Sequence, residues 1–128
     1  MKRTNRAGFT LVEVLTVIAI IALLSGLILG LAGLAQKKAA RSKAESEISQ
    51  LESFVTDYQM KYGQVPQGTE INLKSVLAAE NHSLSNMVDP WGETYYYTNT
   101  SKATFYLYSK GGSTNANRAM YIGNCPPL

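Results

Sequence analysis

The sequence holds a single cysteine, Cys125, so no disulfide can close within the chain, and its C-terminal part must be held by other means. No reactive motif surrounds that thiol. Histidine is equally scarce: the only one, His82, lies in Glu80-Asn81-His82-Ser83, which reads as a solvated turn. Paired carboxylates, a phosphate-cradling glycine loop and a metal-ligand cluster are all missing, so the chain reads as a non-enzyme. Charge is missing too, from Val14 through Ala35. Aspartate is absent after Asp89, and the stretch 111–124 contains no acid.

What charge there is lies unevenly. The 128 residues carry a formal net charge of +3. Lys2, Arg3 and Arg6 account for it, with no acid beside them, and Phe9 to Leu128 balances nine basic against nine acidic side chains. A basic start before an apolar run is retained on the cytoplasmic side of a membrane. The only later basic cluster is Lys37, Lys38, Arg41 and Lys43, directly after the apolar run. It reads as snorkelling and helix solvation rather than a nucleic-acid face.

The apolar run from Phe9 to Ala35 spans about 40 Å as a helix at ~1.5 Å per residue, more than the ~30 Å hydrocarbon core of a bilayer. Gly26-x-x-x-Gly30 is a small-residue face for close helix contact or a pair tolerated in a membrane helix. Gly26, Gly30 and Gly33 also weaken the helix locally. The helical pattern persists beyond Gln36. Ala44, Ile48, Leu51, Val55, Tyr58 and Tyr62 recur at spacings of three and four, forming one apolar stripe, with Glu45, Glu47, Glu52, Asp57 and Lys61 off it. Gly63 and Pro66 then give a stop signal. One helix is therefore predicted from Phe9 to Tyr62.

Downstream, Asn72 is placed as the cap of a short helix over Leu73–Glu80. Asp89-Pro90-Trp91-Gly92 is a turn cluster, in which Pro90 fixes the turn, Trp91 offers an apolar face to the helix stripe and Gly92 permits an unusual backbone angle. Thr94–Thr98 and Thr104–Ser109 read as an antiparallel hairpin around Asn99–Lys102, and Arg118–Ile122 as a third strand. Tyr95, Tyr96, Tyr97, Tyr106 and Tyr108 read as a half-buried sheet face rather than a stacking platform for a ligand.

Glu13 is the informative residue. A carboxylate inside an apolar run costs about 2.5–3.5 kcal/mol even on lenient scales. In a secretory signal the small residues of the cleavage site follow the apolar region. In this chain the pair Ala7-Gly8 precedes it. Cleavage after Gly8 removes the basic residues and leaves Phe9 with a charged α-amino group. A neighbouring copy's ammonium can then pair with Glu13, setting register, because an unpaired buried charge is penalised.

Ala7-Gly8-Phe9-Thr10-Leu11-Val12-Glu13-Val14-Leu15 resembles the prepilin cleavage and methylation motif of type IV pilins and type II secretion pseudopilins. Leu51 to Pro66 is similar to the helix end and Gly-x-x-Pro exit of the major pseudopilins. Asp89-Pro-Trp-Gly-Glu-Thr-Tyr-Tyr-Tyr97 and Tyr106-Leu-Tyr-Ser-Lys-Gly-Gly112 resemble segments of the same proteins. The resemblance implies an α+β pilin fold, a long helix on a small antiparallel sheet. It implies a leader at 1–8, a transmembrane assembly helix at 9–35, its amphipathic continuation at 36–62 and a small globular region at 63–128.

It further implies a prepilin peptidase that cuts after Gly8 and N-methylates Phe9, and contact of Glu13 with the N-terminus of the next subunit. The implied function is a structural subunit of a periplasmic pseudopilus acting in type II secretion. The alternative is a pilin or minor pilin for adhesion, motility or DNA uptake. Implied partners are copies of the chain, minor pseudopilins, the peptidase, an inner-membrane assembly platform with a separate ATPase, and the lipid bilayer. Nucleic acid is not among them. The implied location is the bacterial inner membrane, crossed once, with the C-terminal domain and the assembled fibre in the periplasm.

Two departures from the resemblance stand out. A cysteine pair, common in type IV pilins, is absent, which favours the pseudopilin side. The major pseudopilins also carry a C-terminal calcium loop with aspartates. In this chain Ser113, Asn115, Asn117, Asn124 and backbone carbonyls offer only neutral oxygens, whereas calcium usually wants carboxylates. The expectation is no cofactor, with Ser113, Asn115 and Asn117 the candidates should calcium bind.

Overall fold

A computed structural model describes residues 8–114 and 117–127. The expected leader falls almost wholly outside them, as does Asn115. The element order is α1 (Leu11–Tyr62), α2 (Glu70–Ala79), β1 (Tyr96–Asn99), β2 (Phe105–Ser109), a 3-10 turn (Arg118–Met120) and β3 (Ile122–Asn124). The arrangement is α+β, as the sequence implied. The chain divides into two units, residues 1–37 and 38–128.

In the first unit every described residue is exposed, including the apolar side chains from Phe9 to Leu34. α1 contains the one helix, among the described residues, long and apolar enough to cross a membrane. It starts at Leu11 rather than Phe9 because Thr10 caps it. The Thr10 carbonyl accepts from the Glu13 and Val14 amides at 3.1 and 3.3 Å, and its hydroxyl accepts from the Glu13 amide at 3.3 Å. Thr10-x-x-Glu13 has the residue pattern of a capping box.

In the second unit the predicted stripe does most of what it promised. Ala44, Ile48, Leu51 and Val55 are buried, while Tyr58 is half-buried and Tyr62 is exposed. They pack with Val65, Leu73, Leu77, Met87, Tyr95, Tyr97, Leu107 and Ile122 into one core. Gly63 ends α1 at φ +74°, its amide donating to the Gln59 carbonyl at 2.8 Å.

α2 begins earlier than predicted. Thr69, not Asn72, is the cap: its backbone is extended and its carbonyl takes the Asn72 and Leu73 amides. The Asn72 side chain instead lies over Gly68, where a Cβ would meet it at 2.7 Å. The helix closes on Asn81 at φ +53°. Asn81 donates to the Ala78 carbonyl and His82 to that of Leu77, which is the Schellman pattern.

The sheet is antiparallel in the order β1-β2-β3, with Tyr96 opposite Tyr108 and Tyr97 opposite Leu107. Period-two alternation buries Tyr95 and Tyr97. On the other face Tyr96, Tyr108 and Tyr121 stack in turn at 5.3 and 5.5 Å between ring centroids. The third strand lies further on than predicted. Arg118–Met120 forms a 3-10 turn capped by the Asn117 side chain, and pairing starts only at Ile122, opposite Ser109. Gly123, at φ +103°, lets this strand close on β2, since a Cβ would lie 2.5 Å from the Leu107 carbonyl oxygen.

Candidate assembly site and buried turn

The first site is the start of α1. Gly8 precedes the helix in exposed, irregular backbone, and Phe9 is 79% exposed. Glu13 occupies the first helical turn, where the helix dipole favours a negative charge by about 0.3–1 kcal/mol. That is well short of the cost of a carboxylate in hydrocarbon. The Glu13 carboxylate forms no ion pair or side-chain hydrogen bond among the described residues. Sequence reasoning overlooked Thr10, although a threonine three residues before a glutamate at the head of an apolar run is a helix-start signal.

Beyond the apolar run, Arg41 pairs with Glu45 at 3.1 Å and Lys43 with Glu47 at 3.7 Å. The first pair is exposed and contributes about 0.3–0.5 kcal/mol, and in the second the lysine is exposed while Glu47 is largely buried; both lysine and arginine solvate the helix, as the sequence suggested. Glu47 has a second role that its place off the stripe hid. Its other oxygen accepts from the Tyr95 hydroxyl at 2.6 Å, tying α1 to the segment before β1. The Tyr97 hydroxyl donates to the Pro66 carbonyl at 2.6 Å and holds the exit of α1.

Burial raises the Tyr95 hydroxyl above its ordinary range, and the hydrogen bond to Glu47 adds to this. Burial alone is the main cause for Tyr97. Because both are higher in the folded than in the unfolded chain, their stabilisation is complete below pH ~10 and is lost as pH rises beyond it. Stability should therefore fall above pH ~10 by about 1.4 kcal/mol per pH unit for each hydroxyl. Chemical denaturation across that range checks the slope, which Tyr95→Phe should reduce.

The second site is the turn at Asp89, Pro90, Trp91 and Gly92. Asp89 is only 4% exposed. Its Oδ1 accepts from the Trp91 and Glu93 amides at 3.0 and 2.9 Å, and its Oδ2 from the Ser109 hydroxyl at 2.6 Å. Ser109 Oγ in turn accepts from the Gly111 amide at 3.0 Å. Gly92 takes φ +87°, as its unusual angle required. Trp91 does not face the helix stripe. It is 37% exposed, outside the core, and its indole lies where a Cβ on Gly112 would fall, 2.6 Å from Cδ1.

The remaining candidates are scattered. Ser113 is buried and already partnered, and Asn117 Oδ1 accepts from the Ala119 amide at 3.2 Å. Among the described residues no three acidic, histidine or cysteine side chains gather around a point. His82 is not freely solvated: its ring packs edge-on to Phe54 at 5.1 Å, and Nδ1 accepts from the Leu84 amide. Cys125 is a half-buried free thiol.

A capped, wholly exposed apolar helix carrying one acid, continued as the core helix of a small α+β unit, defines a pilin-like membrane subunit. Comparison with known proteins narrows this. Residues 3–29 match the prokaryotic N-terminal methylation motif, and residues 33–121 match the type II secretion system protein G family. The chain belongs to the protein G family of type II secretion systems. It is 28% identical to the type II secretion system core protein G of Pseudomonas aeruginosa, over 90% of this chain and 94% of that one. It is 32% identical to the core protein G of Pectobacterium carotovorum subsp. carotovorum, over 74% and 68% respectively. No solved structure matches.

Proposed function

We propose that this chain is the major structural subunit of a secretion pseudopilus, stored in the inner membrane by α1 and polymerised after cleavage between Gly8 and Phe9. The family supports assembly with other pseudopilins, membrane anchoring and a periplasmic fibre. The finer steps rest on the chemistry of the first helical turn. The observation that carries them is Glu13, a carboxylate in an apolar helix with no ion-pair partner among the described residues.

Cleavage creates the missing partner. The new Phe9 amine, which stays basic when methylated, is four residues from Glu13 on its own chain and is presented to the next copy in the fibre. Moving α1 from lipid to a bundle of like helices changes apolar burial little, since lipid is as apolar as leucine. Charge pairing and close packing at Gly26 and Gly30 then fix the register. The basic residues Lys2, Arg3 and Arg6 leave with the leader. A membrane-embedded prepilin peptidase, an assembly platform and minor pseudopilins complete the set of partners in this reading.

The test is mass spectrometry of the chain recovered from cell membranes. It should begin at Phe9 and be heavier by one methyl group on that nitrogen. An intact Met1 terminus in the membrane-bound and fibre pools would overturn the proposal.

A further inference from the structure

The family resemblance implies a calcium loop near the C-terminus, but the donors in this chain do not suit one. From Thr94 to Leu128 there is no acidic side chain. Of the candidate side-chain oxygens among the described residues, Ser113 is buried and partnered and Asn117 Oδ1 caps the 3-10 turn, while Asn124, whose Nδ2 donates to the Phe105 carbonyl at 3.2 Å, offers one neutral oxygen. Calcium asks for six to eight oxygens, usually with carboxylates among them. The nearest acid in the network, Asp89, is buried with both oxygens engaged.

That same carboxylate is wired to the loop. Asp89 Oδ2 holds the Ser109 hydroxyl, and Ser109 Oγ holds the Gly111 amide. The Ser113 amide then closes a turn on the Lys110 carbonyl. Gly111, at φ +64°, is packed against the Met120 carbonyl so closely that a Cβ has no room, and Gly112, at φ +71°, lies under the Trp91 indole. The loop is thus fastened at its head, over Gly111 to Ser113, to the buried turn and to the Met120 carbonyl.

We infer that in this chain the buried Asp89–Ser109–Gly111 relay fastens the head of the C-terminal loop without a metal, so that folding and stability do not depend on calcium. The relay works inside the second unit and holds whether or not the chain polymerises. A hydroxyl that both donates and accepts inside the core is well suited to the task, because losing it orphans a carboxylate oxygen and an amide together.

The test uses the full chain in detergent micelles, followed by thermal unfolding with about 5 mM calcium or with excess chelator. The two midpoints should agree within about 1 °C. A saturable rise of more than about 5 °C on adding calcium overturns the inference, since a ligand of the native state raises the midpoint by mass action. Ser109→Ala should lower the midpoint by about 5–10 °C in both conditions, with no rescue by calcium. An unchanged midpoint for that variant also overturns it. Should Ser109→Ala fail to fold, hydrogen exchange on the unaltered chain decides. The Gly111 amide should be protected equally with calcium and with chelator, and protection only with calcium counts against the relay.

Discussion

Glu13→Ala should abolish fibre formation while leaving the chain inserted in the membrane. Removing a carboxylate from an apolar run makes insertion easier, by less than the roughly 2.5–3.5 kcal/mol that translocon scales give for a charge at the helix centre, because Glu13 lies in the first turn. Assembly should suffer in the opposite sense. Under the proposed pairing, the Phe9 amine of the neighbouring copy is left as a buried charge without its mate, and breaking a buried pair in this way costs about 3–5 kcal/mol. At about 1.4 kcal/mol per tenfold change, subunit addition weakens by at least a hundredfold. Glu13→Gln retains the shape and a hydrogen-bonding oxygen but not the charge, so it should assemble poorly as well. Sheared-fibre yield and carbonate extraction of membranes read the two properties separately. Normal fibres from Glu13→Ala would remove the charge-pairing mechanism, and loss of the chain from the membrane would show that Glu13 acts earlier.

The largest stability effect is expected at Asp89. Its replacement by alanine orphans two amides and one hydroxyl in a site that is 4% exposed. Each unsatisfied group costs about 1–3 kcal/mol, and partial relaxation brings the sum to about 3–5 kcal/mol. Small domains have about 5–15 kcal/mol in total, and each kcal/mol moves the midpoint by about 4–8 °C. Asp89→Ala should therefore lower the thermal midpoint by at least about 12 °C or prevent folding. Asp89→Asn can still accept at Oδ1 but turns a donor toward the Ser109 hydroxyl, which can rotate to accept it. It should lose less than half as much. Circular dichroism melts of the two variants give the ranking, and equal losses would show that charge rather than hydrogen-bond geometry governs the turn.

α1 was legible because its two halves obey simple rules. A run without charge from Val14 to Ala35 has few fates other than a helix in lipid or among like helices. The stripe from Ala44 to Val55 follows the 3.6-residue period that burial on one side imposes. Gly63 and the hairpin strands were equally plain, since turn and strand chemistry are local. Glu13 stood out for the same reason: one charge against an apolar background is visible without any coordinates.

Other features turn on contacts far apart in sequence. Asn72 is as good a cap as Thr69 on local grounds, but the segment at Gly68 is pinned to Asn99, whose side chain takes the Gly68 amide at 2.7 Å. That fixes where α2 can start. Hydrophobicity alone points Trp91 at the helix stripe, whereas its indole lies against Gly112, outside the core. Ser109 carried no signal in a strand of aromatic residues, and Glu47 looked like a solvated charge.

The sequence by itself determined the long apolar helix, its lone acid and the mix of helix and strand, because each depends on composition and periodicity along neighbouring residues. The tertiary structure alone decided which polar groups work inside the small unit. Asp89 and Ser109 are 20 residues apart and Tyr95 and Glu47 are 48 apart. A buried polar group must find a partner wherever folding delivers one, and no local pattern announces which it will be.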